Sequence, residues 1–312
     1  MGKIAFVFPG QGAQAVGMGK DAHDASPAAR AMFERADAAL GFALSRIIFE
    51  GPEDELRLTV NTQPALLTVS AALLELVKDR VKPDYVAGHS LGEYSALVAA
   101  GVLSFEDAVR AVRLRGEFME AAVPAGQGAM AAVLGAERGA LQALCEAVSA
   151  DTGLVVLANV NCPGQIVVSG TAEGVRAVVE RGKEEAGAKR VIPLEVSGPF
   201  HSPLMQPAAD RLEQVLAELE MRDAEVPVIA NVTAEPVTAA EEIRGLLKKQ
   251  VTAPVLWEDT VNRLIGLGVD TFVEIGSGTV LTGLIRKTAG SAKVHTVNSM
   301  ASLDAVLAEL AP

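Results

Sequence analysis

Residues 85–100 read Tyr85-Val-Ala-Gly88-His-Ser90-Leu-Gly92-Glu-Tyr-Ser-Ala-Leu-Val-Ala-Ala100, and this stretch decides the fold. The apolar run Tyr85 to Ala87 predicts a strand and Glu93 to Ala100 a helix, with a sharp turn at Gly88, His89, Ser90, Leu91 and Gly92 between them. Such a turn needs glycines because the flanking backbones crowd each other, and it lifts the serine hydroxyl above the sheet edge. Ser90 is therefore a candidate nucleophile. A tight turn with a capping serine is the plainer alternative.

Outward from this turn, short branched runs alternate with longer amphipathic ones. Ile4 to Phe8 reads as a strand; 28–40 and 64–80 read as helices, with Pro64 suited to a first turn. Ser104 followed by Asp107 marks the start of another helix running to about Ala122. This alternation predicts an α/β fold around a buried parallel sheet. After Pro124, Gly126 and Gly128 the order changes. Strands at 129–134, 154–159, 166–169 and 190–194, helices at 137–148 and 172–183, and a turn at 161–164 make a β-α-β-β-α-β unit. Alternation of the first kind resumes at 204–219, 226–230, 257–267 and 271–275. Residues 1–124 and 198–312 thus read as one core, into which 125–197 is inserted. Their junction is the natural place for a substrate cleft.

Composition narrows the function. The 312 residues are 50% hydrophobic and 21% charged, ordinary for a globular protein, and the net charge of -12 argues against nucleic acid as a partner. Cys145 and Cys162 lie in no metal-ligand spacing and make no disulfide framework, so no metal is expected and a reducing cytoplasm fits. The N-terminal apolar run, Ile4 to Phe8, is too short for a signal sequence or a membrane span, which predicts a protein neither secreted nor inserted.

A serine nucleophile needs a base, and the chain has four histidines. His89 lies inside the turn and reads as structural; His23 and His295 read as surface or packing residues. His201 differs, because Gly198, Pro199 and Phe200 before it and Ser202 and Pro203 after it place it on an irregular loop where the chain returns to the core. Loops on a rigid frame concentrate catalytic side chains, so His201 is either the base or a plain loop histidine. No acid stands in an obvious loop between Ser90 and His201: Glu195 is too close to His201, and Asp107 starts a helix. A backbone carbonyl or an amide side chain could orient the imidazole instead. The turn Phe8-Pro-Gly-Gln-Gly12 can aim N–H groups at an oxyanion, Gln11 supplying one; a turn with no ligand is the alternative. The spacing Gly10, Gly12, Gly17 does not fit a dinucleotide fingerprint, so no nicotinamide or flavin is suggested.

Several separated stretches together resemble the malonyl-CoA:acyl carrier protein transacylases of fatty acid synthesis. They are Phe8-Pro-Gly-Gln-Gly12, Thr62-Gln-Pro-Ala65, Gly88-His-Ser-Leu-Gly-Glu-Tyr-Ser95, Arg115-Gly with Phe118-Met119, Asn161 with Pro163-Gly-Gln165, Gly198-Pro-Phe-His201, and Gln250 ahead of Pro254-Val255. The resemblance spans essentially the whole chain. It implies an α/β-hydrolase-like core with an inserted ferredoxin-like subdomain. It also implies that Ser90 attacks the malonyl thioester with His201 as base, and that transfer is ping-pong through a malonyl-Ser90 ester. The histidine would be held by main-chain carbonyl contact near Gln250, and the N–H groups of Gln11 and Leu91 would form the oxyanion hole. Arg115, by pattern alone one more solvated helix arginine beside Arg110 and Arg113, would hold the malonyl carboxylate with its planar fork. Gln63 and Asn161 would line the cleft, and Phe200 would disfavour a branched methylmalonyl group.

By the same resemblance the substrates are malonyl-CoA and the phosphopantetheine thiol of an acidic acyl carrier protein, and no cofactor is needed. Two acidic proteins must then meet through local basic clusters. Arg181, Lys183, Lys189 and Arg190 on the insertion and Lys248, Lys249, Arg286 and Lys287 on the core are the candidates. No coiled-coil heptad demands assembly, and a monomer is expected. A serine hydrolase, a silent carrier-binding subunit and an acyltransferase of polyketide synthesis are the competing readings.

Overall fold

The computed structural model describes residues 2–311. The chain opens with β1 (Lys3–Phe8), followed by α1 (Lys20–Ala25), α2 (Pro27–Leu40), α3 (Leu44–Glu50), α4 (Glu53–Arg57) and α5 (Thr59–Val77). Next come β2 (Tyr85–Gly88), α6 (Gly92–Ala99) and α7 (Phe105–Ala121). The middle of the chain holds β3 (Gly128–Leu134), α8 (Arg138–Asp151), β4 (Val155–Cys162), β5 (Gln165–Thr171), α9 (Ala172–Glu185) and β6 (Arg190–Pro193). After a 3-10 turn come α10 (Gln206–Glu218), β7 (Val228–Ile229), β8 (Pro236–Val237), α11 (Ala240–Gln250), β9 (Val255–Leu256) and α12 (Trp257–Gly266). The chain closes with β10 (Val269–Ile275), α13 (Val280–Thr288), β11 (Lys293–Val297) and α14 (Met300–Leu310).

Two sheets organise these elements. The first runs β11-β10-β1-β2-β7-β8, parallel throughout except for the antiparallel edge strand β8. Its central strand β1 buries Ala5, Phe6, Val7 and Phe8 on both faces, as a strand covered by helices on two sides must. The second sheet runs β6-β3-β5-β4-β9 and is antiparallel except where β9 joins β4. Most of it comes from the 125–197 stretch, with its own apolar cluster around Val133, Leu141, Val148 and Val168. β9, however, comes from beyond residue 250, so that stretch does not complete its sheet alone: Asn159 pairs with Val255 and Val160 with Leu256.

Three expectations need correction. Pro64 was expected in the first turn of its helix, but α5 begins at Thr59 and carries Pro64 inside. The carbonyl that a proline leaves without a partner, that of Val60 four residues earlier, accepts instead from the Arg113 guanidinium at 3.2 Å. Arg113 is therefore not a solvated charge: it is half-buried, bonds Val60 and the Asn61 side chain, and pairs with Glu117 at 3.1 Å. Arg110, paired with Asp107 at 2.8 Å and exposed, is the surface charge expected. The turn expected at 161–164 shrinks to Pro163 and Gly164, because Cys162 already pairs with Gln165 across the hairpin, so Asn161 sits within β4.

α5 is long and apolar enough to cross a membrane by length and composition. It is instead the central core helix, packed between α2, α6 and α7.

Candidate active site

Parallel pairing builds the site. Phe8 lies opposite Gly88, so the turn after β1 and the turn after β2 leave the sheet side by side at the carboxyl ends of their strands. The glycines there are steric requirements. A Cβ at Gly88 would stand 1.9 Å from the Gly92 carbonyl, and one at Gly92 would stand 2.1 Å from the Phe8 oxygen. Ser90 itself takes φ 51°, a left-handed conformation costly for a residue with a Cβ. Asn231, at the end of β7, holds it there. Its Oδ1 accepts the Ser90 N–H at 2.8 Å and its Nδ2 donates to the Gly88 carbonyl at 2.7 Å, clamping both sides of His89.

His201 also has a positive φ, 55°, and is buried. Its Nδ1 lies 2.8 Å from the Gln250 carbonyl oxygen, which can only accept, so Nδ1 carries the proton and Nε2 is left as an acceptor. Nε2 stands 2.8 Å from Ser90 Oγ. Burial first, and then the nearby Arg115 charge, push the imidazole down to about 3, so it is neutral across the physiological range. Among the described residues no carboxylate bonds His201. Glu195 is exposed and lies 3.8 Å from Arg57, and Asp107 receives its helix cap from Ser104.

Arg115 enters from α7 and is 1% exposed. Its Nη1 donates to Gln63 Oε1 at 2.7 Å; its Nη2 donates to Ser90 Oγ at 3.1 Å and to Gln250 Oε1 at 3.0 Å. Nε has no partner among the described residues. All of these acceptors are neutral, and among the described residues no carboxylate forms an ion pair with this buried cation. Because Arg115 donates to Ser90 Oγ, the serine's own hydrogen points at His201 Nε2.

The remaining residues frame a cavity of about 200 Å³ between the two sheets. Gln11, Gln63, His89, Leu91, Asn161 and Phe200 all line it with Ser90, Arg115 and His201. The Gln11 and Leu91 N–H groups donate to no acceptor among the described residues. His89 turns Nε2 to Asn161 Oδ1 at 2.8 Å and packs near Trp257, a bracing role in keeping with its structural reading; burial lowers its pKa. His23 contacts Asp24, Phe33 and Phe49, while His295 lies by Glu309, both far from the cavity. Among the described residues no cluster of His, Cys, Asp or Glu is arranged to hold a metal.

Gln250, at the last turn of α11, is the hub. Its carbonyl holds His201, its Oε1 holds Arg115, and its Nε2 donates to the Ser90 carbonyl at 3.0 Å and to Glu93 Oε2 at 2.8 Å. A guanidinium only donates and a carboxylate only accepts, so the orientation of this amide follows from its partners. Sequence reasoning missed two members of the network, Asn231 and Glu93. Asn231 left one faint signal, a polar residue closing an apolar strand run; Glu93 stood in plain view as the one charge in an otherwise apolar helix.

Known proteins resemble the chain in sequence and in fold. The acyl transferase domain family model matches residues 5–306. The chain is 54% identical to a malonyl CoA-acyl carrier protein transacylase from Bacillus subtilis (strain 168), over 99% of this chain and 98% of the relative. It superposes with a TM-score of 0.96 on an acyl-carrier-protein-S-malonyltransferase from Bartonella henselae, 47% identical with 99% of each chain covered. A malonyl-transacylase solved in complex with its type II polyketide synthase acyl-carrier protein superposes at 0.95, 42% identical over 98% of this chain and 99% of that one.

Proposed function

The chain belongs to the malonyl CoA-acyl carrier protein transacylases of the acyl transferase domain family, and from that membership we propose that it moves a malonyl group from malonyl-CoA to the phosphopantetheine thiol of an acyl carrier protein. One observation carries the reading: Ser90 Oγ lies within hydrogen-bond reach of a neutral imidazole nitrogen and of a buried guanidinium that has no carboxylate partner. The first supplies a nucleophile, the second a seat for an acyl group that carries its own carboxylate.

In this mechanism His201 Nε2 takes the Ser90 proton as Oγ attacks the thioester carbonyl. The oxyanion forms against the Gln11 and Leu91 N–H groups, which have no other acceptor. The C–S bond breaks, His201 returns the proton to the departing coenzyme A sulfur, and a malonyl ester stays on Ser90. The carrier thiol then gives its proton to His201 and attacks the ester, the C–O bond to Ser90 breaks, and His201 returns the proton to Ser90 Oγ, so kinetics are ping-pong. Gln63 and Gln250 hold the Arg115 fork, Asn161 braces the elbow through His89, and Phe200 narrows the cavity against a branched acyl group. The mechanism needs no cofactor beyond the two substrates.

The architecture supports reading the first sheet as an α/β-hydrolase-like core, residues 1–124 and 198–312, with a ferredoxin-like insertion at 125–197 to which β9 lends a strand. Of the eight basic side chains proposed to meet an acidic carrier, Arg181 and Lys248 are engaged in ion pairs. Lys183, Lys189, Arg190, Lys249, Arg286 and Lys287 are exposed and form no ion pair among the described residues, which makes them the better docking candidates. Free, buried Cys145 and Cys162 accord with a cytoplasmic enzyme, and a monomer is the proposed state. Fatty acid and polyketide synthesis use the same chemistry at this site, and the site favours neither.

The test is intact mass of the protein mixed with malonyl-CoA, then with holo carrier protein. A malonyl increment that needs Ser90, weakens in Arg115→Ala and moves to the carrier is expected. An increment that drains to free malonate regardless of carrier would make this a hydrolase; none at all would make it a silent carrier-binding subunit.

A further inference from the structure

Glu93 has no part in the mechanism above, yet it is 2% exposed and lies one amide group away from Arg115. Its Oε2 accepts from Gln250 Nε2 at 2.8 Å and from the Asn231 N–H at 3.2 Å, while Gln250 Oε1 receives the guanidinium. The Gln250 carboxamide is thus wedged between the two buried charges, its oxygen toward the cation and its nitrogen toward the anion. Among the described residues neither charge has an ion-pair partner of its own, so without substrate the site is neutral only because Arg115 and Glu93 balance each other across this amide. The charged and titratable groups acting on Glu93 are few. Arg115 on α7 attracts it, and the buried phenol Tyr94 is its neighbour on α6. His201, on the loop before α10, bonds the Gln250 carbonyl and faces Arg115.

We infer that Glu93 is a positioning residue that takes up a proton when a carboxylate-bearing acyl group occupies the site. This rests on the proposed malonyl loading of Ser90. A malonyl carboxylate on the Arg115 fork adds a second negative charge to a buried site holding one cation, and two carboxylates competing for one cation cannot both stay ionised cheaply. The malonyl carboxylate bonds the fork directly and keeps its charge; Glu93, at one remove, is the group that neutralises. Burial already pushes Glu93 up to about 7, so a small further push suffices near neutral pH. As an acid, Glu93 can still bond its neighbours, and Gln250 stays in place.

The sign is definite. Below about pH 7 Glu93 is protonated in both states and loading is independent of pH. Above it, loading requires a proton, and the loading equilibrium, malonyl-enzyme times coenzyme A over enzyme times malonyl-CoA, falls by up to tenfold per pH unit. Ionisation of the released coenzyme A thiol acts in the opposite sense and equally in every variant.

The experiment measures this equilibrium by intact mass from pH 6 to 9 for the wild-type protein and Glu93→Gln. A wild-type constant that falls above neutrality relative to a Glu93→Gln constant without that fall is expected. Parallel profiles overturn the inference. Infrared difference spectra of the wild-type protein on loading above neutrality, where Glu93 starts ionised, make a second measurement needing no variant, and a new protonated carboxyl band that shifts in heavy water, as the malonyl ester band does not, is expected. If Glu93→Gln does not fold, that band alone decides, and its absence refutes the proton uptake. Failure of the wild-type protein to load at any pH would instead overturn the malonyl reading itself.

Discussion

Replacing Arg115 by alanine should change which acyl group the site accepts more than how fast it reacts. The guanidinium is 1% exposed and bonds only neutral acceptors, which on the proposed function leaves its charge for an incoming carboxylate. Truncating one partner of a buried, hydrogen-bonded charge pair costs about 2–5 kcal/mol. At ~1.4 kcal/mol per tenfold, kcat/KM for malonyl-CoA should fall roughly 30-fold to several thousand-fold. An acetyl thioester has no carboxylate and loses only the 3.1 Å bond from Arg115 to Ser90 Oγ, worth about 1.5–3 kcal/mol for a charged donor at the most. Malonyl-CoA loses that bond as well, so it cancels between the two thioesters, and the ratio of malonyl to acetyl loading should drop by tenfold or more through the carboxylate contact alone. Arg115→Lys restores charge without the fork and should recover only part of it. The assay is competitive loading of the two thioesters, read by intact mass, with thermal unfolding as a fold control. Equal losses for both substrates in a folded variant would refute the carboxylate role and leave Arg115 as a brace for Gln63 and Gln250.

Three further outcomes follow from the geometry. Gly88→Ala puts a Cβ 1.9 Å from the Gly92 carbonyl, backbone against backbone, and should cost at least ~3 kcal/mol, seen as a lower melting temperature; unchanged melting would mean the turn is looser than described. Asn231→Ala leaves the Ser90 N–H and the Gly88 carbonyl unpartnered, about 1–3 kcal/mol, and should lower kcat about tenfold while KM for malonyl-CoA holds, measured by steady-state kinetics. His201 is depressed to about 3 in the fold against an ordinary 6.5 unfolded, so the unfolded chain binds the proton first as pH falls. Stability from this group is complete above pH 6.5 and lost towards pH 3 at ~1.4 kcal/mol per unit; urea titrations of wild type and His201→Gln should differ by that slope.

The sequence made the elbow legible because its constraints are local: a strand, two crowded glycines and a helix are contiguous, and Ser90 is where they must put it. Arg115 was legible only through family resemblance, yet a physical signal was present. Val112, Arg115 and Met119 fall at i, i+3 and i+7, with Ala108, Val109 and Gly116 completing the same face, so Arg115 lies on the apolar stripe of α7. A charge on the buried stripe is a different object from Arg110 on the solvent face. Gln250, like Arg115, was legible only through family resemblance, because α11 was not anticipated, although Glu241 and Glu242 at its start and Lys248 and Lys249 at its end match the helix dipole. Pro64 misled because the rule that places proline at helix starts is statistical, and Arg113 on another helix supplies the donor that proline lacks. Asn231 lay beyond reach: its contacts with Gly88 and Ser90 span more than 140 residues and depend on β2 and β7 being neighbours.

Why a peptide carbonyl rather than an acid should orient His201 follows from the charge in the cavity. A carboxylate at Nδ1 would stabilise the imidazolium formed as Ser90 attacks, but it would also stand beside the Arg115 fork and compete for it. The Gln250 carbonyl fixes the same tautomer with no net charge. The site's one nearby acid, Glu93, is held off by the Gln250 side chain, close enough to balance the guanidinium and too far to pair with it directly. On the proposed mechanism a single glutamine thereby does two incompatible-looking tasks: its backbone orients the base, and its amide keeps the cation free for a carboxylate that arrives with the substrate. Replacing it with glutamate would collapse that separation, putting an anion directly on Arg115. On the proposed chemistry, the absence of a third catalytic acid is the electrostatic condition for accepting a dicarboxylic acyl group.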